Sequence, residues 1–150
     1  MLTAAEVFEL VPQKPPFRFV DRIVEVDAEH AVSEYTLRHD EFFYAGHFPD
    51  FPVTPGVILL EAMCQTAFAL AIHLLSSELS ADEIRRLVMM TTESNVEFAR
   101  VVRPGETVRV RARKVFWRKH KLKADVELTL TDGTAVAQGT VGGMKVRRDG

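Results

Sequence analysis

Cysteine is almost absent from this chain: Cys64 is the only one in 150 residues. No internal disulfide framework can form, so a buried core must hold the fold, and the length suffices for one. One thiol also fits a reducing compartment, and a cytoplasmic location is expected. The opening "MLTAAEVFELVPQK" has neither a basic n-region nor a long apolar run, and it carries Glu6 and Glu9. A signal peptide is therefore not expected. Repeats, low-complexity tracts and internal linkers are missing as well, which leaves one domain over residues 1–150. The five histidines show no metal-ligand spacing, so no metal site is expected.

Basic residues are scarce over positions 1–99, where 6 Lys/Arg stand against 16 Asp/Glu. Positions 100–123 reverse the balance, with 10 basic residues and 1 acidic. Two readings remain open there. Arg109, Arg111 and Arg113 alternate with Val108, Val110 and Ala112, as on the polar face of a strand. The block could also dock an acidic partner. Only Phe116 and Trp117 interleave as aromatics and no nucleic-acid module is present, so nucleic acid is not an expected partner.

Periodicity places the elements. Residues 3–11 suit a short amphipathic helix, with Thr3 and Glu6 spaced as a capping box and Pro12, Pro15 and Pro16 ending it. Strands are expected over 17–26 and 31–38, a loop over 39–54, and a helix from about 54 to 77. Thr54 suits the cap of that helix, Pro55 its first position, and Gly56 a close backbone approach. From Val57 to Leu75 only Glu61, Gln65, Thr66 and His73 are polar. The run is long enough to span a membrane, yet those polar groups are costly in hydrocarbon and the flanking strands need a core. No membrane span is expected. After a polar connection at 76–84, strands are expected over 87–99, 106–117, 121–130 and 135–146. In "KLKADVELTL" the residues Leu122, Ala124, Val126, Leu128 and Leu130 mark one face. The expected fold is α+β: one long helix wrapped by a curved antiparallel sheet of about six strands. One such sheet cannot cover so apolar a helix completely, so a homodimer is expected.

The stretch "GHFPDFPVTPGVILLEAMCQT" carries the chemistry. Burial of Glu61 on the helix should raise its pKa and keep it a general acid near neutrality. His47 precedes it on a proline-rich loop and could act as a base. The first amides of the helix, at Gly56 and Val57, lack internal partners and could hold an oxyanion. Gln65 at i+4 and Phe68 at i+7 share the face of Glu61. An acid, a base and an oxyanion donor suit proton removal beside a carbonyl with loss of a β-hydroxyl. Each residue also has a structural reading: a hydrogen-bonded buried Glu, a loop His, a packed thiol at Cys64.

The same stretch closely resembles the signature of the 3-hydroxyacyl-(acyl carrier protein) dehydratases of the FabZ type, "GHFPGxPxMPGVLxxEAMAQ". "LVPQKPPFRFVDRI" and "NVEFARVVRPGE" resemble two further segments of that family, in the same order. Glu61 stands where the related FabA type has Asp. The resemblance implies a hotdog fold and a dimer whose sites combine His from one chain with Glu from the other, often assembled as trimers of dimers. It implies no metal or organic cofactor. By motif position, His47 would remove the α-proton of a (3R)-3-hydroxyacyl thioester and Glu61 would protonate the leaving hydroxyl. Gly56 would hold the thioester oxygen, Gln65 would support Glu61 or the departing water, and Phe68 would line an acyl tunnel. The partner would be an acidic acyl carrier protein, with its phosphopantetheine arm near the basic block. The chain departs from the pattern at Asp50 (Gly), Thr54 (Met), Cys64 (Ala), Gln13 (His) and Ala99 (Arg), and it has Phe51 after Asp50. Two alternatives stay open, a hotdog thioesterase and a non-catalytic subunit that binds acyl thioesters.

Overall fold

A computed structural model describes residues 1–149. In chain order the elements are α1 (Ala4–Leu10), β1 (Arg22–Val26), β2 (His30–Thr36), α2 (Gly56–Leu75), α3 (Ala81–Arg85), β3 (Leu87–Phe98), β4 (Thr107–Arg118), β5 (Lys121–Leu130) and β6 (Ala135–Arg147). The six strands form one antiparallel sheet in the order β1-β2-β4-β5-β6-β3. Every strand contacts α2. Period two decides the inner face: Val108, Val110 and Ala112 of β4, and Leu122, Ala124, Val126 and Leu128 of β5, all join the core around the helix. This is the single helix wrapped by a six-stranded sheet that the hydrophobic pattern predicts.

Sixteen of the twenty residues of α2 are buried, so the one helix among the described residues that is long and apolar enough to cross a membrane is covered by its own chain. Its second half packs on a smaller cluster in which Val7 and Leu10 of α1 meet Ile23, Ile72, Leu75 and Ile84. The Thr3–Glu6 capping box of α1 is present in both directions.

Three boundaries differ from the sequence expectation, each for a physical reason. The strand expected from 17 begins at Arg22, because the backbone of Phe17 and Phe19 bonds the Gln65 side chain in place of a neighbouring strand. A short helix, α3, occupies part of the polar connection at 76–84; Ser80 and Glu83 form a capping box that marks it. Thr54 does not cap α2. Pro55 holds the N-cap position without a side-chain bond, and the Thr54 hydroxyl turns to Tyr44.

β3 is an edge strand, paired only to β6, and most of its residues are exposed, Met90 and Phe98 among them. On β6, Gly143 leaves room for the Phe68 ring of α2. A Cβ built there would lie 2.5 Å from Cε1 of Phe68 and 3.0 Å from the Met90 carbonyl. Gly143→Ala should therefore lower stability by about 1–3 kcal/mol through overpacking, read as a lower urea midpoint at unchanged slope.

Candidate active site

The loop before α2 is closed on itself. The amide of His47 donates to the Tyr44 carbonyl at 3.3 Å, and the amide of Val53 donates to the His47 carbonyl at 3.1 Å. Nδ1 of His47 lies 2.9 Å from the carbonyl oxygen of Val53. A carbonyl only accepts, so Nδ1 carries the hydrogen and Nε2 of the neutral ring keeps its lone pair. The Phe48 ring stacks on the imidazole, with centroids 4.1 Å apart. Phe48 and Phe51 exchange two backbone bonds of 2.9 Å across a tight turn, and Asp50 sits in it at φ 64°. That left-handed conformation favours Gly, the residue of the resembling motif, and Asp tolerates it better than most side chains. Asp50 is exposed, and no hydrogen bond or ion pair joins it to His47 among the described residues.

The loop runs directly into α2. Thr54 is tied through its amide to the Val102 carbonyl at 2.8 Å and through its hydroxyl to Tyr44 at 2.6 Å. The helix then begins at Gly56. The amides of Gly56 and Val57 have no acceptor among the described residues, as expected of a first helical turn. Both residues are exposed, Val57 at 71%. The Phe98 ring from the end of β3 lies over Gly56, 3.6 Å from where a Cβ would stand.

Glu61 lies five residues further, about 7.5 Å along the axis at 1.5 Å per residue. Burial raises its carboxyl above the ordinary carboxylate range, and the hydrogen bond from Gln65 opposes that rise. Gln65 is completely buried and fully bonded. Its Nε2 donates to Glu61 at 2.9 Å and to the Phe17 carbonyl at 3.0 Å, and its Oε1 accepts from the Phe19 amide at 2.8 Å. The side chain therefore holds Glu61 and pins residues 17–19 to the helix. Phe68 is buried on the same helix, against Gly143 of β6. Burial also pushes the Cys64 thiol up to about 11, the reverse of what a nucleophile needs.

Loop closure and helix start bring His47, Gly56 and Val57 to one end of α2, with Glu61 and Gln65 just beyond. No hydrogen bond joins His47 to Glu61 within the chain, among the described residues. Exposed Phe48, Phe51, Val57, Phe98 and Val101 surround that end. Sequence reasoning missed Tyr44 and Phe98. Neither belongs to a helical or strand period shared with its partner, so no local pattern could mark them. Among the described residues no group of three His, Cys, Asp or Glu is placed to hold a metal ion.

The basic block is not one face. Arg109 pairs with Glu34 at 2.6 Å, Arg113 with Asp125 at 2.6 Å, Lys114 with Glu29 at 3.3 Å and Lys123 with Glu93 at 3.6 Å. These charges are matched by acids on other strands and turns of the same sheet. The polar-strand reading holds for the middle of the block. Exposed Arg118, Lys119 and Lys121 at the β4–β5 turn instead gather with Arg86 and Arg148. Backbone bonds from Arg148 to Arg86 and from Lys145 to His120 bring these segments to one end of the sheet. The contact of His120 with Glu78 places the C-terminal end of α2 there too.

Fold and site together define the hotdog class of helix-in-sheet proteins. Two solved structures share the fold across most of the chain. The dehydratase heterocomplex ApeI:P from Xenorhabdus doucetiae matches at TM-score 0.77 and 15% identity, covering 99% of this chain and 94% of that one. A hypothetical thioesterase with coenzyme A from Streptococcus pneumoniae matches at TM-score 0.63 and 14% identity, covering 84% and 85%. The FabA-like domain model matches residues 11–140, and the chain belongs to the FabA-like family. Among curated relatives, the 3-hydroxyacyl-[acyl-carrier-protein] dehydratase FabZ of Solibacter usitatus is 35% identical over 141 residues, 94% of this chain and 83% of that protein. The protein of the same description from Acetivibrio thermocellus is 34% identical over 142 residues, 94% of this chain and 92% of its own.

The raised Glu61 pKa has a consequence for stability. Between its unfolded and folded values the folded chain binds the extra proton, so stability falls as pH rises through that window. Glu61→Gln removes the titrating group. The variant should gain stability relative to wild type on going from pH 4 to pH 7, measured by urea unfolding at both pH values.

Proposed function

We propose that the chain is a 3-hydroxyacyl-(acyl carrier protein) dehydratase that converts (3R)-3-hydroxyacyl thioesters to trans-2-enoyl thioesters, in fatty-acid or related secondary lipid synthesis. One observation carries the reading: a carboxyl whose pKa burial raises, held by Gln65, lies just beyond two free helix-start amides and a loop histidine with an open Nε2. The relatives' descriptions support it. Nε2 of His47 takes the α-proton, and the amides of Gly56 and Val57 receive the charge that moves to the thioester oxygen. The carboxyl of Glu61 gives its proton to the β-hydroxyl, which leaves as water as the Cα–Cβ double bond forms. The catalytic pair is then imidazolium and carboxylate, and exchange with solvent resets it. Phe68 bounds the acyl channel on the core side of Glu61.

Each site is shared between two protomers. The free edge of β3 and the exposed Phe48, Phe51, Val57 and Phe98 are the surface that a second copy covers. A two-fold axis pairs identical edge strands antiparallel. The start of one protomer's β3, at its basic end, then lies beside the end of its neighbour's β3, at Phe98 and Gly56. An acidic carrier docked on Arg86, Lys119 and Arg148 would thus hold its phosphopantetheine arm at the neighbour's site. The protein acts in the cytoplasm, and the dimers can group into trimers of dimers.

Water addition to a crotonyl thioester, followed by loss of enoyl absorbance with free thiol monitored alongside, tests the reaction. Wild type should add water without releasing thiol, and His47→Ala and Glu61→Gln should each lose about 10²–10⁴-fold. Thiol release would make the protein a hydrolase. Mixing the two inactive variants under exchange conditions should restore about a quarter of wild-type activity, because half the dimers then own one intact site. No recovery would place both residues in one chain's site. Charge reversal at Arg86 and Arg148 should raise KM for carrier-bound substrate and leave KM for a short pantetheine thioester unchanged.

A further inference from the structure

Two buried hydroxyls in the site belong to neither the acid nor the base. Tyr44 is 6% exposed and Thr54 5%, and their oxygens lie 2.6 Å apart. They close a loop that carries His47, its ends ten positions apart in sequence. Thr54 is also the point where three constraints meet: the Tyr44 bond, its amide bond to Val102 at 2.8 Å, and the peptide link to Val53. The Val53 carbonyl is the group that accepts from Nδ1 of His47 at 2.9 Å. Downstream, Thr54 leads through Pro55 to the free amides of Gly56 and Val57.

We infer that Tyr44 and Thr54 are positioning residues whose hydroxyl pair aims the Val53 carbonyl at Nδ1 of His47, and so selects the tautomer that leaves Nε2 open. Among the described residues neither hydroxyl bonds the imidazole; the pair acts through the backbone between them. Thr54 stands where the resembling motif carries Met, whose side chain has no hydroxyl, so the linkage belongs to this chain. Without it, the Val53–Thr54 peptide keeps its amide bond to the Val102 carbonyl and Val53 its amide bond to the His47 carbonyl, but no side chain anchors Thr54, and the Val53 carbonyl can tilt about those bonds. The imidazole can then rotate, or exchange its hydrogen to Nε2, and the base is lost for part of the time.

This inference rests on the base role of His47 only where turnover is read. The test therefore has two arms on Thr54→Val, which keeps the shape without the hydroxyl, and Thr54→Ser, which keeps the hydroxyl. The first arm is nitrogen-15 NMR of His47 at a pH where the ring is neutral, assigned by difference from His47→Ala. Wild type and Thr54→Ser should show a protonated Nδ1 and an unprotonated Nε2, and Thr54→Val an average of the two tautomers. The second arm is turnover. Thr54→Val should lower kcat about tenfold with KM within about twofold, and Thr54→Ser should restore it. Tyr44→Phe should match Thr54→Val, and the double variant should lose no more than either single one. A folded Thr54→Val with the wild-type tautomer would overturn the inference even if wild type proved catalytically silent. Loss in Thr54→Ser equal to that in Thr54→Val would overturn it too. An inactive wild type with the expected tautomer shift would instead overturn the proposed reaction and leave the positioning role standing.

Discussion

Exposing α2 to water would uncover sixteen buried residues, at roughly 1.5–3 kcal/mol for each large apolar side chain among them. Covering that helix is the constraint on which the architecture depends. Six strands curve round it in one sheet, and the inner residues of β4 and β5 alternate with salt-bridged outer ones for that purpose. A helix covered in this way offers few places for polar groups. Those it does hold are bonded: Thr66 to Ser33 and to the Ala62 carbonyl, Gln65 to three partners. Glu61 is the exception, with one donor and a partly buried carboxyl.

Burial that stabilises the helix is also what tunes the acid. Desolvation disfavours the carboxylate, and Gln65 alone moderates it. The same fully satisfied Gln65 halts the sheet at Arg22 by claiming the backbone of Phe17 and Phe19. A single side chain thus both moderates the acid and fixes the shape of the chain beside it. The cost is stability at neutral pH, a familiar exchange at functional sites.

The opposite end of the helix matters for a different reason. Acids on other strands and turns neutralise the middle of the basic block; Arg118, Lys119 and Lys121 remain at the β4–β5 turn, whereas Arg100 and Arg103 lie before β4 at the other end, Arg103 over the Phe51 ring. Charge counted along the chain overstated the docking face, because strand register matches Arg109, Arg111 and Arg113 with acids on β1, β2 and β5. Arg118, Lys119 and Lys121 at the turn have no acidic partner among the described residues.

Local patterns sufficed for much of this protein. Period-two alternation in "KLKADVELTL", the apolar run after Pro55 and the capping box at Thr3 each depend on neighbours within a few residues, so the sequence alone determined the helix, the strands and their inner faces. Motif spacing likewise marked His47, Gly56, Glu61 and Gln65. Tertiary structure decided the rest. It turned the Thr54 hydroxyl from a helix cap to Tyr44, gave residues 17–19 to Gln65 instead of a strand, brought Phe98 over Gly56 and split the basic block. In each case a group had several possible partners nearby in the chain, and the one it took came from a segment brought close only by folding the sheet around the helix.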